Sequence, residues 1–390
     1  MATPPTAPHA QDLPWPKPGG ALRPQERSQV GAFITQARTK HMSIGGPSTG
    51  YRWDLTQVDK VTLFHPRDMV LSVETGLSLG KIKSLAESEK LWLPLDAPPP
   101  TAQADALSLA DFLSADHSLS WLSHRYGTVR DWIVSLTAVD DRGREVTTGA
   151  KVVKNVAGYQ LAPLYVGARD SLGPIVEVSF RLLPLPGQVT VARWQADASQ
   201  PLINIWQRSR EHSHPLGRGE PFEGLRLTRV KGQWQLHGFT RFPPEAVSGW
   251  ARAVSGIREG EIMPSDILPR EADCDGAGAT VRLQVLPSRI AELITALQAH
   301  EFDLTCYPSS GVVHLKLEPD DGESFDNGHD GFDTILATIR SLGGRLQPLP
   351  GWSGQLPETA GHRSGGHIMA RVKSILDPDR IFGPLPEVPW

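Results

Sequence analysis

Three glycine-rich turns carry the strongest chemical signal in this 390-residue sequence. They are Gly45-Gly46-Pro47-Ser48-Thr49, Lys154-Asn155-Val156-Ala157-Gly158-Tyr159, and the run from Gly167 to Gly173. Glycine tolerates positive φ and lets backbone approach a ligand closely. Successive backbone N–H groups in such a turn can converge on one anion. In this order the turns could line a groove for a long, anionic, partly planar cofactor. None is a Walker phosphate loop, and none is the G-x-G-x-x-G dinucleotide fingerprint. Singly, each reads as an ordinary connection; three together exceed what connections usually supply.

Other constellations carry less. His212-Ser213-His214 lacks a third metal ligand nearby and reads as an exposed loop pair. Cys274 lies between Asp273 and Asp275, which raise a thiol pKa and argue against a nucleophile. No G-x-S-x-G elbow and no H-E-x-x-H occur. Asp320–Asp330 reads as a solvated acidic loop rather than a metal site. Trp121, Trp132 and Trp206 read as core or interface anchors.

Composition bounds the elements that must hold these turns. Two cysteines exclude a disulfide framework and a four-thiolate metal or iron–sulfur site. A net charge of -4 argues against nucleic acid as the main partner. No run of about 18 apolar residues is present, so no transmembrane segment is expected. The opening MATPPTAPHAQ has neither the basic nor the apolar region of a signal peptide. The expectation is a cytoplasmic two-domain protein, peripheral to the inner membrane only through partners. With 37 Gly and 34 Pro it is loop-rich.

Periodicity supplies the elements. Residues 1–24 form a Pro-rich arm, expected to be mobile, with ordered chain from Gln25. Val30, Phe33, Ile34 and Ala37 predict a helix over Gln25–Lys40. Strands are expected at Lys60–Phe64, Met69–Glu74, Trp132–Val139 and Ile175–Leu183, with a hairpin turn at Asp140–Gly143. A boundary is placed near Gly187, after Pro184 and Pro186. Beyond it, Val189–Trp194, Leu225–Val230 and Trp234–Phe239 alternate as antiparallel strands. A strand–helix pair at Ala279–His300, a strand at Gly311–Leu317 and a helix at Phe332–Leu342 follow. The chain therefore reads as α+β. A last helix within Gly365–Arg380 stops at Asp377-Pro378. No internal repeat is visible.

Lys151–Pro186 resembles the flavin-binding core of the FAD-linked oxidase family with the vanillyl-alcohol-oxidase fold. Within it, the FAD-binding type of subunit found in bacterial glycolate oxidase is similar. Val152–Leu161 stands where that family has VVKNVAGYDL, and Leu172–Glu177 where it has LGVI. Arg125–Asp131 resembles RYGTVRD, Ile44–Thr49 occupies the place of the pyrophosphate loop, and Arg371–Pro384 resembles the closing helix and exit.

The resemblance implies a PCMH-type FAD-binding domain of two α/β subdomains over residues 25–187. It also implies an α+β cap domain over 188–346 and a C-terminal segment, 347–390, returning to the FAD domain. It places the FAD pyrophosphate on Gly45, Gly46, Ser48 and Thr49. Tyr126, Gly127, Lys154 and Asn155 would line the cofactor groove, and Gly158, Gly173 and Ile175 would lie near the adenine end. FAD would be non-covalent. The activity implied is oxidation of glycolate or another 2-hydroxy acid by hydride transfer to flavin. Its partners would be a catalytic flavin subunit and an iron–sulfur subunit. Catalytic residues are not assigned.

The chain departs from the family at one wall. Where two glycines precede the YGTVRD block, this sequence has Ala110 and Asp111; Asp170 also replaces a glycine. A carboxylate there repels pyrophosphate, and a side chain narrows the groove. Two readings stand: an FAD-binding subunit, or a paralogue that keeps the fold as a scaffold or interaction subunit. A stand-alone flavin oxidase is least favoured.

Overall fold

In the computed structural model of the chain the described residues are 13–45, 50–95, 106–114, 122–150, 161–187, 189–211, 222–245, 247–248, 261–265, 281–300, 302–316, 330–348 and 366–385. The N-terminal part opens with β1 (Ala21–Leu22), α1 (Arg27–Thr39) and β2 (Arg52–Trp53), the two strands pairing in parallel. Helix α1 buries Val30, Phe33, Ile34 and Ala37, the stripe its spacing predicts. Ordered chain begins before the expected Gln25. Trp15 packs on Phe33 and Tyr51, at ring-centroid distances of 6.0 and 5.7 Å, and β1 follows it. A large aromatic on an apolar helix face outweighs the local bias of a Pro-rich stretch towards an open chain.

Next come β3 (Val61–His65), β4 (Val70–Glu74), α2 (Leu79–Ser88), β5 (Leu91–Trp92), α3 (Leu109–Ser114), α4 (Ser123–Tyr126), α5 (Val129–Trp132), β6 (Ile133–Val139), β7 (Glu145–Gly149), α6 (Ala162–Tyr165), β8 (Ile175–Arg181) and β9 (Leu183–Pro184). Strands β3, β4, β8, β6 and β7 lie side by side in that order, all antiparallel. Helices α2 and α3 cover one apolar face, burying Leu71, Val73, Leu136, Val178 and Phe180. Helix α1 reaches the sheet through Arg27, which bonds Glu145 on β7 and Glu177 on β8. It also presses Gly31 against the turn at Gly143, so closely that a Cβ would overlap the Gly143 carbonyl oxygen.

The second half is one eight-stranded antiparallel sheet. Its elements are β10 (Val189–Ala196), α7 (Ser199–Glu211), β11 (Gly224–Val230), β12 (Gln233–Thr240), β13 (Glu261–Ser265), β14 (Val281–Gln284), α8 (Ile290–Leu297), β15 (Asp303–Tyr307), β16 (Val312–Lys316), α9 (Asp330–Ser341) and β17 (Arg345–Pro348). The order is β13-β10-β12-β11-β15-β16-β14-β17. It is a palindrome of two β-α-β-β units, β10-α7-β11-β12 and β14-α8-β15-β16, joined where β11 pairs β15. A repeat therefore exists that the sequence does not display. It is a repeat of topology, and only burial alternation has to persist for it. Helices α7, α8 and α9 cover one face with Trp194, Leu227, Trp234, Leu283, Leu304 and Leu315 beneath them. Cys306 lies in this core, where burial pushes its thiol up and leaves it inert.

Helix α10 (Gly366–Leu376) leads back to the N-terminal half. Asp377 accepts from the N–H groups of Ile381 and Phe382 and from Lys373 Nζ, which also donates to the Ser171 carbonyl at 2.6 Å. This clasp places Phe382 beside Ile44 in a parallel bridge, with the Ile44 N–H on the Ile381 carbonyl at 2.7 Å. Among the described residues no helix is long and apolar enough to cross a membrane.

Two substitutions test these contacts. Asp377→Ala breaks a buried, hydrogen-bonded ion pair and should cost about 3 kcal/mol in urea unfolding. Gly31→Ala favours helix intrinsically yet should cost about 1–3 kcal/mol, because α1 cannot keep its distance from the hairpin turn. A neutral or stabilising result for Gly31→Ala would remove that contact from the account.

Candidate functional site: a cationic sheet face and the glycine-rich wall

The face of the large sheet that is not under helices is polar. Residues Arg193 (β10), His237 (β12) and Arg226 (β11) stand side by side across three strands. One row along, Thr228 (β11), Thr305 (β15), His314 (β16) and Arg282 (β14) do the same across four. Alternation along each strand places both rows on the same face as Val189, Phe239, Tyr307 and Val312. Those four pack against Trp92 and Leu122 of the first half, so the polar rows turn towards that half. Arg226, Thr228, His237, Arg282 and His314 are all buried.

The rows contain the same pair twice. Arg193 Nε donates to His237 Nε2 at 3.1 Å, and Arg282 Nε donates to His314 Nε2 at 3.2 Å. Each imidazole is thus an acceptor at Nε2, which places its proton on Nδ1. Burial, then the charges of Arg226 and Arg193, lower His237 to about 3, so it is neutral at ordinary pH. His237 Nδ1 is buried without a hydrogen-bond partner among the described residues. Arginines beside a neutral donor suit a carboxylate. None of these residues was singled out from sequence. Their signal was the apolar–Arg–apolar alternation of Leu225-Arg226-Leu227 and Val281-Arg282-Leu283, which marks a strand with an inward-facing charge.

The residues expected at a cofactor are placed unevenly. Gly46, Ser48, Thr49, Lys154, Asn155 and Gly158 lie outside the described residues, as do His212-Ser213-His214, Cys274 and the Asp320–His329 part of the acidic loop. Tyr126 sits where the two halves meet. Its hydroxyl donates to Glu223 at 2.8 Å, its ring lies edge-on to Trp92 at 5.0 Å, and Arg241 holds the other Glu223 oxygen at 2.7 Å. Burial and the Glu223 charge push the phenol up, keeping it a donor. Gly127 has φ +73° and presses on the Asp131 carboxylate, whose oxygen accepts from the Thr128 N–H at the start of α5. Gly173 has φ +115°, and a Cβ there would overlap the Val139 carbonyl oxygen on β6. Ile175 is buried in the core under α2 and α3. These last three residues serve packing in the described structure.

Gly45 is the described root of the first glycine-rich turn, at φ +71°. Its N–H donates to Tyr51, and the Cβ of Asp170 lies 3.6 Å from where a Gly45 Cβ would be. Opposite runs the Ser108–Ser114 segment. Leu109 N–H donates to Leu77, Ala110 N–H to Thr75, Asp111 N–H to Ser108 Oγ and Phe112 N–H to the Ser108 carbonyl. Ser108 Oγ in turn donates to the Asp111 carboxylate at 2.6 Å. The segment is a closed helix start with no free N–H at those four positions.

Burial, then the charge of Asp111, push Asp170 up to about 7, and Ser114 is the described group that opposes the rise. The buried Trp53 Nε1 beside Gly45 has no acceptor among the described residues. Gly46, Ser48 and Thr49, which the resemblance places on the pyrophosphate, lie outside the described residues, so only the root of the turn is described.

No family model matches the chain. It is 33% identical over 146 residues to a mitochondrial D-lactate dehydrogenase [cytochrome] of Arabidopsis thaliana, covering 37% of this chain and 24% of that protein. It is 27% identical over 177 residues to glycolate oxidase subunit GlcE of Escherichia coli, covering 45% of this chain and 49% of that protein. The matches thus span between a quarter and half of these relatives' length. Among solved structures, the Physcomitrella patens BBE-like 1 protein superposes with a TM-score of 0.65 at 14% identity, over 93% of this chain and 89% of the other. That likeness establishes an α+β PCMH-type fold, and the sequence relatives add the lineage. The chain has the fold of PCMH-type FAD-linked oxidases, and over part of its length it is similar in sequence to 2-hydroxy-acid dehydrogenases and a glycolate oxidase subunit.

Proposed function

We propose that the chain is an accessory subunit of a cytoplasmic, FAD-dependent complex that oxidises glycolate or another 2-hydroxy acid, and that its large sheet binds the acid's carboxylate. The observation carrying this reading is the doubled Arg–His pair on the face turned towards the first half. A 2-hydroxy acid supplies a carboxylate for the guanidinium and a hydroxyl for a neutral imidazole. The chemistry of the complex is hydride removal from the hydroxyl-bearing carbon by FAD; this chain's part is to hold the carboxylate. In this reading the partners are a catalytic flavin subunit and an iron–sulfur subunit, as the similarity to a subunit named GlcE supports. Residues 25–187 form the flavin-type domain, 188–346 the cap, and 347–390 the returning segment. The carboxylates facing Gly45 favour an accessory role over a catalytic one.

The complex, purified through a tag on the catalytic flavin subunit, should reduce a dye in the presence of glycolate or D-lactate, and the same preparation lacking this chain should not. Equal activity without it would overturn the accessory role. Oxalate, a carboxylate probe, should bind the full-length chain measurably by calorimetry. Arg193→Ala, at an exposed position, and Arg282→Lys, which keeps the charge but not the fork, should each weaken it about tenfold, the loss of one charge-assisted hydrogen bond. Unchanged affinity in both would remove the sheet face as the site.

His237 also predicts a pH dependence of stability. Its folded pKa of about 3 lies below the ordinary 6.5, so the unfolded chain binds the extra proton between those values. The stability linked to this group is complete above about pH 6.5 and is lost as pH falls towards 3. His237→Gln should flatten that part of the pH–stability curve measured by thermal unfolding. An identical slope would assign it to other groups.

A further inference from the structure

We propose that the outward stripe of helix α10 docks the chain on the catalytic flavin subunit, in an apolar groove of that partner with a carboxylate opposite Arg371; this rests on the accessory-subunit reading. The stripe is Ile368, Arg371, Val372 and Ile375, at the i, i+3, i+4, i+7 spacing of a helix recognised by a groove. Ile375 is 72% exposed and Ile368 is 56% exposed. Arg371 is exposed, and Val372 between the isoleucines is half-buried. Single exposed apolar residues, such as Leu286 on a connection, are ordinary. Two isoleucines one heptad apart on one helix, with Val372 between them, form a ridge. Isoleucine is a weaker helix former than the Lys, Gln or Glu that suits a solvated face, and at these two positions it gains little burial.

The inner side of α10 is satisfied separately. Leu376 packs against the core that α2 and α3 cover, and Lys373 is taken by Asp377 and by the carbonyls of Ser171 and Phe382. A helix of 11 residues is marginal alone, so its order comes from that side. The stripe is therefore held in one orientation before any partner arrives, which lowers the entropic cost of docking. Charge selects the occupant. Helix α10 carries no acidic residue, and Arg371 forms no ion pair among the described residues. Two antiparallel copies of α10 would pair Ile368 with Ile375, a self-complementary arrangement. The same register sets the two copies' Arg371 side chains together at the centre, where like charges oppose association. A different chain with a carboxylate at that point satisfies the arginine and the isoleucines together.

The test tags the catalytic flavin subunit, co-expresses it with the full-length chain, and measures the chain retained and, by calorimetry, the affinity of the two purified subunits. Ile368→Gln/Ile375→Gln removes the apolar anchors at exposed positions that tolerate glutamine in a helix. It should weaken the affinity at least about tenfold with an unchanged thermal midpoint. Arg371→Glu should do the same, whereas Arg371→Lys keeps the charge and should lose less. Raising NaCl from about 0.05 to about 0.5 M should weaken wild-type binding more than that of Arg371→Gln. If the Ile368/Ile375 and Arg371→Glu variants bind as tightly as wild type, the proposal is overturned and the accessory role stands. No retention of the wild-type chain overturns the accessory role and this docking site with it. A wild-type homodimer in light scattering that the Ile368/Ile375 variant dissolves assigns the stripe to a second copy, which also overturns the proposal.

Discussion

The pairing of β11 with β15 is the constraint on which the second half depends. Leu227 meets Cys306, Thr228 meets Thr305 and Arg229 meets Leu304. Those contacts turn two β-α-β-β units into one sheet with a single helix-covered side. Once the helices take one side, every alternate residue on the other must find polar partners or apolar cover. Val189, Phe239, Tyr307 and Val312 find cover against the first half, and Arg193, Arg282 and the two histidines find one another. A slip of one residue at β11–β15 would send the arginines under the helices and the leucines into the polar face. Register here is fixed by both faces at once.

The first half is tied together differently, by chain ends rather than a shared sheet. Asp377 gathers Lys373 and two backbone N–H groups, and so sets the short parallel bridge between Phe382 and Ile44. The root of the first glycine-rich turn is therefore held by residues more than three hundred positions away in sequence. This explains a family-like C-terminal motif that touches no chemistry. It brings order to the strand end from which a cofactor loop departs. Beside that root stands Asp170; its burial and the charge of Asp111 push its carboxyl up to about 7.

Much of the first half was legible in the sequence. The apolar spacing of α1, the strand pattern of β6 and the hairpin turn at Asp140–Gly143 are local properties and reappear as expected. The family resemblance rested on short motifs of that kind. Trp15 was not legible, because docking of a Pro-rich segment depends on Phe33 and Tyr51 being near each other. The repeat in the second half was hidden for a related reason. Burial alternation can be satisfied by many residues, so two units with the same topology need not share recognisable sequence.

By itself, then, the sequence determined the fold class, the family resemblance and the order of the glycine-rich turns along the chain, since all of these follow from local pattern and residue identity. Only the tertiary structure decided which charges meet. His237 and Arg193 are 44 residues apart, His314 and Arg282 are 32 apart, and Asp111 on α3 meets Asp170 from the turn before β8. Electrostatic energy depends on distance in space and on burial. Which side chains face one another on the sheet and beside the first glycine-rich turn is set by neighbours that sequence proximity does not reveal.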